Sequence, residues 1–327
     1  MNRRMTGTKP GSTTQTGYNR HIPPRRKDRN MTGSTFLQRL QSGEILVSDG
    51  ATGTNLQARG LTRGTPSEVW VLENPAEILR LHRDFVAAGS DIILTSTFGG
   101  SALRLQHAGL SERAEEVNRR AVELARQAAG ETVLVAGSLG PLGQMMQPLG
   151  PLSEEEAGAA YAAQSKVLSE AGVDLLLVET QFDLAEATAA VNAARSVSSL
   201  PLVCSFSYDR GTRTMMGVKP AQMAKHIGGL GVDALGINCG RSLEENLQAL
   251  KELRQATDLP IWFTPNAGLP VLDAAGNPTY TLTPEMMGEQ VDQWVAAGAR
   301  VVGGCCGNSP EHVHQIALAA KRLSKTA

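Results

Sequence analysis

Three of the four cysteines follow short apolar runs, at positions where a strand would end. Cys239 comes after Ala234–Asn238, and Cys305 and Cys306 come at the end of Arg300–Gly304. Thiolates are soft ligands that suit Zn²⁺, and three of them leave the fourth tetrahedral position open, as in catalytic zinc sites. The chain lacks the paired Cys-x-x-Cys pattern that would close this position. The spacing alone is also compatible with a disulfide between the adjacent cysteines or with unreactive packing cysteines.

An open three-cysteine zinc site favours chemistry at a fourth sulfur. A thiol that binds there loses its proton at neutral pH, because the metal lowers its pKa. With three anionic thiolate neighbours this sulfur stays electron-rich, so it can attack an activated methyl group. Activation of water fits less well, because hydrolytic zinc is usually held by His and carboxylate ligands, and no His stands at a predicted strand end. Cys204 lies inside an apolar run and is expected to be a buried hydrophobic residue.

Eight apolar runs alternate with amphipathic stretches from residue 32 onward. Each run is continuously apolar, which is typical of strands buried on both faces of a parallel sheet. The predicted strands are Ile45–Asp49, Asp91–Phe98, Val133–Ser138, Asp174–Glu179, Leu202–Ser207, Ala234–Asn238, Ile261–Pro265 and Arg300–Gly304. The predicted helices between them are Glu77–Ala88, Glu112–Ala129, Glu154–Ala171, Asp183–Val197, Ala221–Leu230, Leu243–Thr257 and Pro284–Ala297. The pattern predicts an α/β fold, a single (β/α)8 TIM barrel over residues 32–327.

A recurring turn supports the barrel. A glycine stands between a predicted helix and the next strand, where a left-handed helix cap is expected, in Ala88–Asp91, Ala171–Asp174, Leu230–Asp233 and Ala297–Arg300. A doubly wound open sheet would need a Gly-x-Gly-x-x-Gly turn after its first strand. That turn instead has the sequence Asp49-Gly-Ala-Thr-Gly-Thr54, with no acid placed to hold a ribose. The barrel is therefore favoured.

The composition is that of a globular protein, with 41% hydrophobic and 19% charged residues in a chain of 327. No apolar run approaches the roughly 18 residues of a membrane span, so no membrane partner is expected. Four cysteines in so long a chain do not form a disulfide scaffold, and no secretory signal is present. A reducing, cytoplasmic setting is therefore expected.

The charge is distributed unevenly along the chain. Residues 1–31 carry eight basic residues and one acid, whereas the remainder has 23 basic and 31 acidic residues, a net charge of −8. The first segment has almost no apolar residues and is predicted to be a disordered basic leader. A transit peptide, a basic arm or a start extended upstream of Met31 are its alternative interpretations. The acidic body gives no reason to expect nucleic-acid binding.

Polar residues collect at the carboxyl ends of the predicted strands, where catalytic groups lie in such barrels. Asp49 and Glu179 end strands one and four. Two carboxylates there can pair with an α-ammonium group, although capping of the following helix is the alternative for each. Strands six and eight are second neighbours around a barrel. Cys239 can therefore face Cys305 and Cys306 across its mouth.

These motifs resemble the homocysteine S-methyltransferase family, and most closely the homocysteine-binding module of cobalamin-dependent methionine synthases. The matching segments are Asp49–Thr54, Glu179–Asp183, Asn238–Gly240, Pro265–Pro270 and Gly303–His312, within a similarity from about Phe36 to Leu323. The resemblance implies methionine formation from homocysteine, with the homocysteine sulfur as fourth zinc ligand. It implies three zinc ligands, which are Cys239, Cys305 and Cys306. It also implies a substrate-binding set that consists of Asp49, Gly50, Ser138, Glu179 and Asn238. No catalytic residue is expected beyond the zinc site.

The motifs leave the methyl donor open. The chain ends at Ala327 without folate-, cobalamin- or reactivation modules. The donor is therefore expected to be a small molecule (S-methylmethionine, S-adenosylmethionine or a betaine-like compound) or a methylated corrinoid on a separate protein. An aromatic cage for betaine is hard to assemble from three Trp, four Tyr and six Phe. The candidates for a donor pocket are Phe98, Phe182 and Tyr208.

Two further functions are compatible with the sequence. The chain can be the methyl-accepting subunit of a corrinoid-dependent methionine synthase system that is inactive without its partner. It can also be a phosphate-substrate aldolase, because Gly303–Gly304 before a helix start resembles a phosphate-binding loop. The aldolase is disfavoured, since none of the lysines ends a predicted strand.

Overall fold

Eight parallel strands form a closed barrel in the computed structural model of the chain, which describes residue 1 and residues 35–272 and 278–324. The barrel strands are β1 (Leu46–Val47), β2 (Ile92–Leu94), β3 (Leu134–Leu139), β4 (Leu175–Gln181), β5 (Leu202–Phe206), β6 (Ala234–Cys239), β7 (Ile261–Pro265) and β10 (Ala299–Val302). Each strand pairs with its neighbours in chain order, and β10 pairs with β1. A parallel bridge between Ser48 and Ile92 closes the ring. The predicted TIM barrel is confirmed.

Helices cover the outside of the barrel. They are α1 (Phe36–Gln41), α2 (Thr52–Ala58), α3 (Ser67–Glu73), α4 (Pro75–Ala88), α5 (Ala102–Leu105), α6 (Ala114–Ala129), α7 (Glu154–Ala171), α8 (Leu184–Val197), α9 (Pro220–Ile227), α10 (Leu243–Ala256), α11 (Pro284–Ala296) and α12 (Pro310–Ser324). All seven predicted helices are present within a few residues of their predicted bounds. Among the described residues, no helix has both the length and the apolar character needed to cross a membrane.

Two features were not predicted. Short helices α2, α3 and α5 lie in the connections around β2, and an antiparallel hairpin follows β7. The hairpin strands are β8 (Pro270–Leu272) and β9 (Pro278–Tyr280). The predicted leader, residues 1–31, lies outside the described residues except for residue 1.

The core has two layers, as the alternation along each strand requires. The larger layer lies between the strands and the outer helices. The smaller one fills the barrel and includes Leu46, Ile92 and Trp262. Phe36 of α1 packs against Trp262 with ring centroids 6.4 Å apart. Helix α1 therefore covers the amino-terminal end of the barrel, and the carboxyl-terminal end stays open to a substrate.

The recurring Gly turns adopt the predicted left-handed conformation. The φ angles of Gly89, Gly172, Gly231 and Gly298 lie between 82° and 108°. In three of these turns an aspartate comes after the glycine and begins the next strand segment, and its carboxylate accepts a backbone N–H from the neighbouring strand. These residues are Asp91, Asp174 and Asp233. Asp174 Oδ2 accepts the N–H of Val135 at 2.7 Å and pairs with Arg126 Nη2 at 2.7 Å. These contacts fasten the amino-terminal face, where barrels carry stabilising rather than catalytic residues.

Asp174→Ala is therefore expected to lower the free energy of unfolding by about 2–4 kcal/mol, because the Arg126 guanidinium and the Val135 N–H lose their shared acceptor. Urea unfolding measures this change. The control is Glu170→Ala, which breaks an exposed pair with Arg119 and should cost less than about 1 kcal/mol. Equal losses in the two variants would contradict the role assigned to Asp174.

Candidate active site

Three thiols meet at the carboxyl-terminal mouth of the barrel. Cys239 is the last residue of β6, and Cys305 and Cys306 follow β10, with β7 between the two strands. The Sγ atoms of Cys239 and Cys305 are 2.8 Å apart, and all three sulfurs lie within 4.8 Å of one another. The four cysteines are free thiols, so no disulfide joins Cys305 to Cys306. The expected convergence across the mouth is present, and Cys204 is buried in β5 as predicted.

The Asn238 side chain, near the end of β6, connects this strand to residues of β4 and β5 at the mouth. Its Oδ1 accepts hydrogen bonds from Thr180 N at 2.9 Å and Ser205 Oγ at 2.6 Å, while its Nδ2 donates to Thr180 Oγ1 at 2.7 Å. Thr180 and Cys239 both have φ of 58°, a left-handed conformation that non-glycine residues adopt only when their surroundings impose it. The side chain of Asn238 is thus engaged within the protein, and it positions Cys239.

Pro265 and Asn266, at the end of β7, bind the backbone of the adjacent pair Cys305 and Cys306. Cys305 N donates to Pro265 O at 2.9 Å, and Cys306 N donates to Asn266 Oδ1 at 2.9 Å. The Asn308 side chain returns to donate to Pro265 O at 3.0 Å. A Cβ on Gly304 would overlap this side chain. The space beside Gly304 is therefore filled by the protein's own atoms, which argues against a phosphate-binding loop there.

The three sulfurs are electrostatically unequal. Hydrogen bonds from Cys239 and Cys305 lower the pKa of the Cys306 thiol to about 3. Hydrogen bonding to Cys305 and Cys306 raises the pKa of Cys239 well above its ordinary value. One negative charge thus concentrates on Cys306, and two further thiols stand beside it. Such a donor set fits a soft divalent cation, which would displace the remaining protons.

Two carboxyl groups lie near the thiols, the buried Asp49 and the half-buried Glu179. Burial raises the pKa of Glu179 to about 7, and the negative charge of Cys306 raises it further. The hydrogen bond that Ser138 Oγ donates to Glu179 at 2.5 Å has the opposite effect and lowers this pKa. Burial also raises the pKa of Asp49 well above its ordinary range, with a smaller contribution from Glu179. Asp49 Oδ2 accepts the N–H of Leu94 at 2.8 Å. A cationic group between these carboxylates would be strongly favoured.

Gly50 lies beside this pair, and close packing explains why it is glycine. A Cβ there would come within 2.5 Å of Asn308 O and 2.9 Å of the Phe85 ring. Only the backbone of Gly50 is therefore available to a ligand.

The three aromatic residues predicted for a donor pocket have different environments. Phe98 and Phe182 are half-buried in the loops after β2 and β4. Tyr208 is fully buried, and its hydroxyl donates to Met223 Sδ of α9 at 3.5 Å. It therefore offers no surface to a ligand at the mouth, because the chain after β5 packs it under α9.

Tyr280 was missed by sequence reasoning. It ends the β8–β9 hairpin, and its ring packs against the backbone of Gly307, the residue after Cys306. The available signal was a tyrosine between Pro270 and Cys305, a stretch that also contains Trp294. Without the fold, nothing distinguishes this residue from a loop aromatic on the surface.

Asn238→Ala should weaken the binding of a soft divalent cation to the three thiols about 10- to 100-fold and lower the free energy of unfolding by about 2–4 kcal/mol, since Thr180 N, Ser205 Oγ and Cys239 all lose their support. Chelator competition and urea unfolding measure the two effects. The control is Asn118→Ala, which removes a buried amide that donates to Gly100 O and Ala114 O. We expect it to lose stability only. Unchanged cation affinity in Asn238→Ala would contradict the role of this side chain.

Comparison with known proteins identifies relatives for nearly all of the barrel. The family model described as homocysteine S-methyltransferase matches residues 46–320. The methionine synthase of Mycobacterium tuberculosis is 30% identical over 309 residues, which are 89% of this chain and 26% of the relative. The methionine synthase of Mycobacterium leprae is 31% identical over 89% of this chain and 25% of its own length. The chain thus spans about a quarter of these curated relatives.

Solved structures agree with the family model. The metallated form of the homocysteine methyltransferase MmuM from Escherichia coli superposes with a TM-score of 0.73 at 28% identity, covering 85% of this chain and 97% of that one. The apo form of the same enzyme has a TM-score of 0.68 at 28% identity, covering 86% and 97%.

Proposed function

The chain belongs to the homocysteine S-methyltransferase family, and from this membership we propose that it methylates the sulfur of homocysteine to form methionine. One observation carries the proposal. Three free thiols within 4.8 Å of one another stand at the barrel mouth, next to the buried carboxyl group of Asp49 and the half-buried carboxyl group of Glu179. A sulfur site and a site for a cation therefore lie side by side, as the thiol and the α-ammonium group of homocysteine require.

We propose that the metal is Zn²⁺, held by Cys239, Cys305 and Cys306. The sulfurs are soft donors, and their separations are close to what bonds of about 2.3 Å to one ion can span. Zinc bound there would hold the homocysteine sulfur as a thiolate at neutral pH. Free thiols in this number persist in a reducing compartment, which supports a cytoplasmic location.

The carboxylates position the substrate in this proposal. Asp49 and Glu179 pair with the α-ammonium group, and the Ser138 hydroxyl orients Glu179. The backbone at Gly50 lets the substrate approach closely. Asn238 acts indirectly, because its polar atoms are bonded to Thr180 and Ser205 and it sets the conformation of Cys239. Charge-assisted contacts of this kind are about twice as strong as neutral hydrogen bonds.

The methyl transfer itself needs only a sulfur nucleophile and an activated donor. The homocysteine sulfur forms the new S–CH₃ bond with its electron pair, and the donor leaves with the pair that held the methyl group. S-methylmethionine, S-adenosylmethionine, a betaine-like compound and a methylated corrinoid all satisfy this balance. Phe98 and Phe182 are the proposed donor contacts, and their half-buried positions in the loops after β2 and β4 support this role, whereas the burial of Tyr208 argues against it.

The exposed apolar residues favour a second candidate function, that of a methyl-accepting subunit that works only with a corrinoid protein. In the described part of the chain, six large apolar side chains that are 45–68% exposed lie in the loops on the mouth side or at the start of α11, and a seventh, Leu318, lies on α12. The six are Leu149, Met215, Leu269, Val271, Leu272 and Met286. Apolar surface of this kind is typical of protein interaction sites. A carrier protein that delivers a methyl group would dock at this face.

One assay separates the two candidates. The protein is incubated with homocysteine and, in parallel, S-methylmethionine, S-adenosylmethionine, betaine or methylcobalamin, and methionine is measured together with bound zinc. Turnover with one free donor establishes the enzyme and its donor. Bound zinc without turnover on any free donor supports the subunit. Protein purified under reducing conditions that contains no zinc and forms no methionine would contradict both.

A further inference from the structure

We propose that Arg104 binds the carboxylate of the methyl donor and thereby selects a zwitterionic onium compound, which carries a carboxylate beside its positively charged, methylated sulfur or nitrogen. The inference rests on the proposed methyl transfer and goes beyond it, because it names the class of donor and a residue that recognises it. Arg104 belongs to the short helix α5, which follows the loop after β2 on the mouth side of the barrel.

The Arg104 guanidinium has no partner of its own among the residues that the structure describes. No carboxylate lies within ion-pair distance of it there, and the hydrogen bond to Ser101 Oγ at 3.3 Å comes from the backbone N–H of Arg104. The side chain is nevertheless half-buried. A guanidinium carries five N–H donors and keeps its charge in proteins, so burying part of it without an acceptor costs free energy. A ligand with an anionic oxygen group would supply the missing acceptor.

The guanidinium lies on the loop after β3, beside the aromatic residue proposed as a donor contact. A Cβ on Gly143 would come within 2.5 Å of Arg104 Nη1, and Gly143 has φ of +80°, so this close approach requires glycine. Nearer to the strand, a Cβ on Gly140 would come within 2.6 Å of the Phe98 ring. The Phe98 ring and the Arg104 guanidinium therefore lie along one short loop, which follows directly on the end of β3 that carries Ser138.

Two buried carboxyl groups attract the Arg104 side chain without pairing with it. Glu68 Oε1 accepts the N–H of Gly99 at 2.5 Å, and Glu186 Oε1 accepts the N–H of Leu142 at 2.6 Å. Burial raises the pKa of both carboxyl groups, and the charge of Arg104 offsets part of each rise. Both groups thus act on the guanidinium from beyond ion-pair distance, while a backbone donor occupies Oε1 of each. The N–H groups of Arg104 stay available to a ligand.

An aromatic ring beside an unpaired guanidinium matches the two ends of a zwitterionic donor. An onium group is attracted to the face of an aromatic ring, and a guanidinium forms two parallel hydrogen bonds to a carboxylate. S-methylmethionine, S-adenosylmethionine and betaine carry both groups, whereas methylcobalamin has no carboxylate. Arg104 therefore favours the free donors over the corrinoid.

Pairs of compounds that differ at the carboxylate test the inference in the full chain. The pairs are S-methylmethionine and its methyl ester, betaine and its methyl ester, and S-adenosylmethionine and its decarboxylated form. Isothermal titration calorimetry without homocysteine measures their binding, so the result does not depend on turnover. We expect the wild type to bind at least one carboxylate-bearing compound about 10- to 100-fold more tightly than its counterpart, and Arg104→Met to bind the two equally.

Arg210→Met is the matched control. It removes the same charge from an exposed arginine in the loop after β5, on the same face of the barrel. This variant should keep the wild-type preference for the carboxylate-bearing compound. Loss of the preference in both variants would assign it to the net charge of the face and would overturn the role of Arg104.

The outcomes separate this inference from the proposed function. A preference that disappears in Arg104→Met supports the role of Arg104, even in protein that forms no methionine. Methionine formation with an unchanged kcat/KM for the donor in Arg104→Met overturns the inference and leaves the proposed function intact. Equal losses of affinity for both members of a pair would assign Arg104 to the structure of the loop and overturn the inference, as would wild-type protein that binds none of these compounds.

Discussion

Cys306→Ala is expected to abolish stoichiometric zinc binding and to slow methionine formation by at least about 10³-fold. The variant loses the sulfur that carries the negative charge of the cluster. Without a metal, homocysteine returns to its ordinary thiol pKa, so little thiolate is present at neutral pH. Its sulfur also loses the position that brings it in line with the donor. Both losses act on the nucleophile itself, so added homocysteine should not restore the rate.

Metal analysis and steady-state rates measure this effect, with Cys204→Ala as the matched control. Cys204 is a fully buried thiol in β5, outside the cluster. Its replacement should keep zinc and activity. A Cys306→Ala variant that retains both one zinc per chain and the wild-type rate would contradict the assignment of this ligand.

Glu179→Gln is expected to raise the KM for homocysteine about 10- to 100-fold, because a charge-assisted hydrogen bond to the α-ammonium group is worth about 1.5–3 kcal/mol. The amide retains the shape of the carboxyl group and an acceptor for Ser138 Oγ. The exposed Glu116→Gln, which loses only a pair with Arg113, is the control and should leave the KM unchanged. An unaltered KM in Glu179→Gln would remove this residue from the substrate site.

The pH dependence provides a second readout for Glu179. Burial raises its pKa to about 7, and only the ionised form can pair with an ammonium group. The value of kcat/KM in the wild type should therefore fall as the pH drops below about 7, and this acid limb should disappear in Glu179→Gln. Because the folded protein holds the Glu179 proton more tightly than the unfolded chain, the free energy of unfolding falls as the pH rises from 4.5 to about 7, and the full loss remains at pH 8. Glu179→Gln should then raise the free energy of unfolding at pH 8 by about 1–3 kcal/mol.

The barrel was predictable because its signals are local and repeated. Continuous apolar runs mark the strands, and the glycine before Asp91, Asp174 and Asp233 marks where each helix ends. Chain order then places β7 between β6 and β10, which was enough to predict that Cys239 faces the double cysteine. The β8–β9 hairpin lacked such a signal, because its strands are only three residues long and β8 is exposed on both faces.

The details of the site depend on side-chain partners far apart in the chain. Asn238 bonds to Thr180, 58 residues away, and the Tyr280 ring reaches Gly307 through a loop of unpredicted course. Tyr208 was predicted from its place in the sequence to line the site, but its side-chain partners place it elsewhere. Its position after β5 predicted a place on the rim, but packing under α9 buries it. A tyrosine satisfies either environment, so its type alone does not decide between them.

X-ray absorption spectroscopy at the zinc edge, with and without homocysteine, counts the sulfur atoms bound to the metal. We expect one zinc per chain with three sulfur ligands in the free protein and four when homocysteine is bound. Zinc that keeps its ligand set when homocysteine is added, or protein that holds no zinc under reducing conditions, would contradict the claim that the three thiols activate the substrate sulfur.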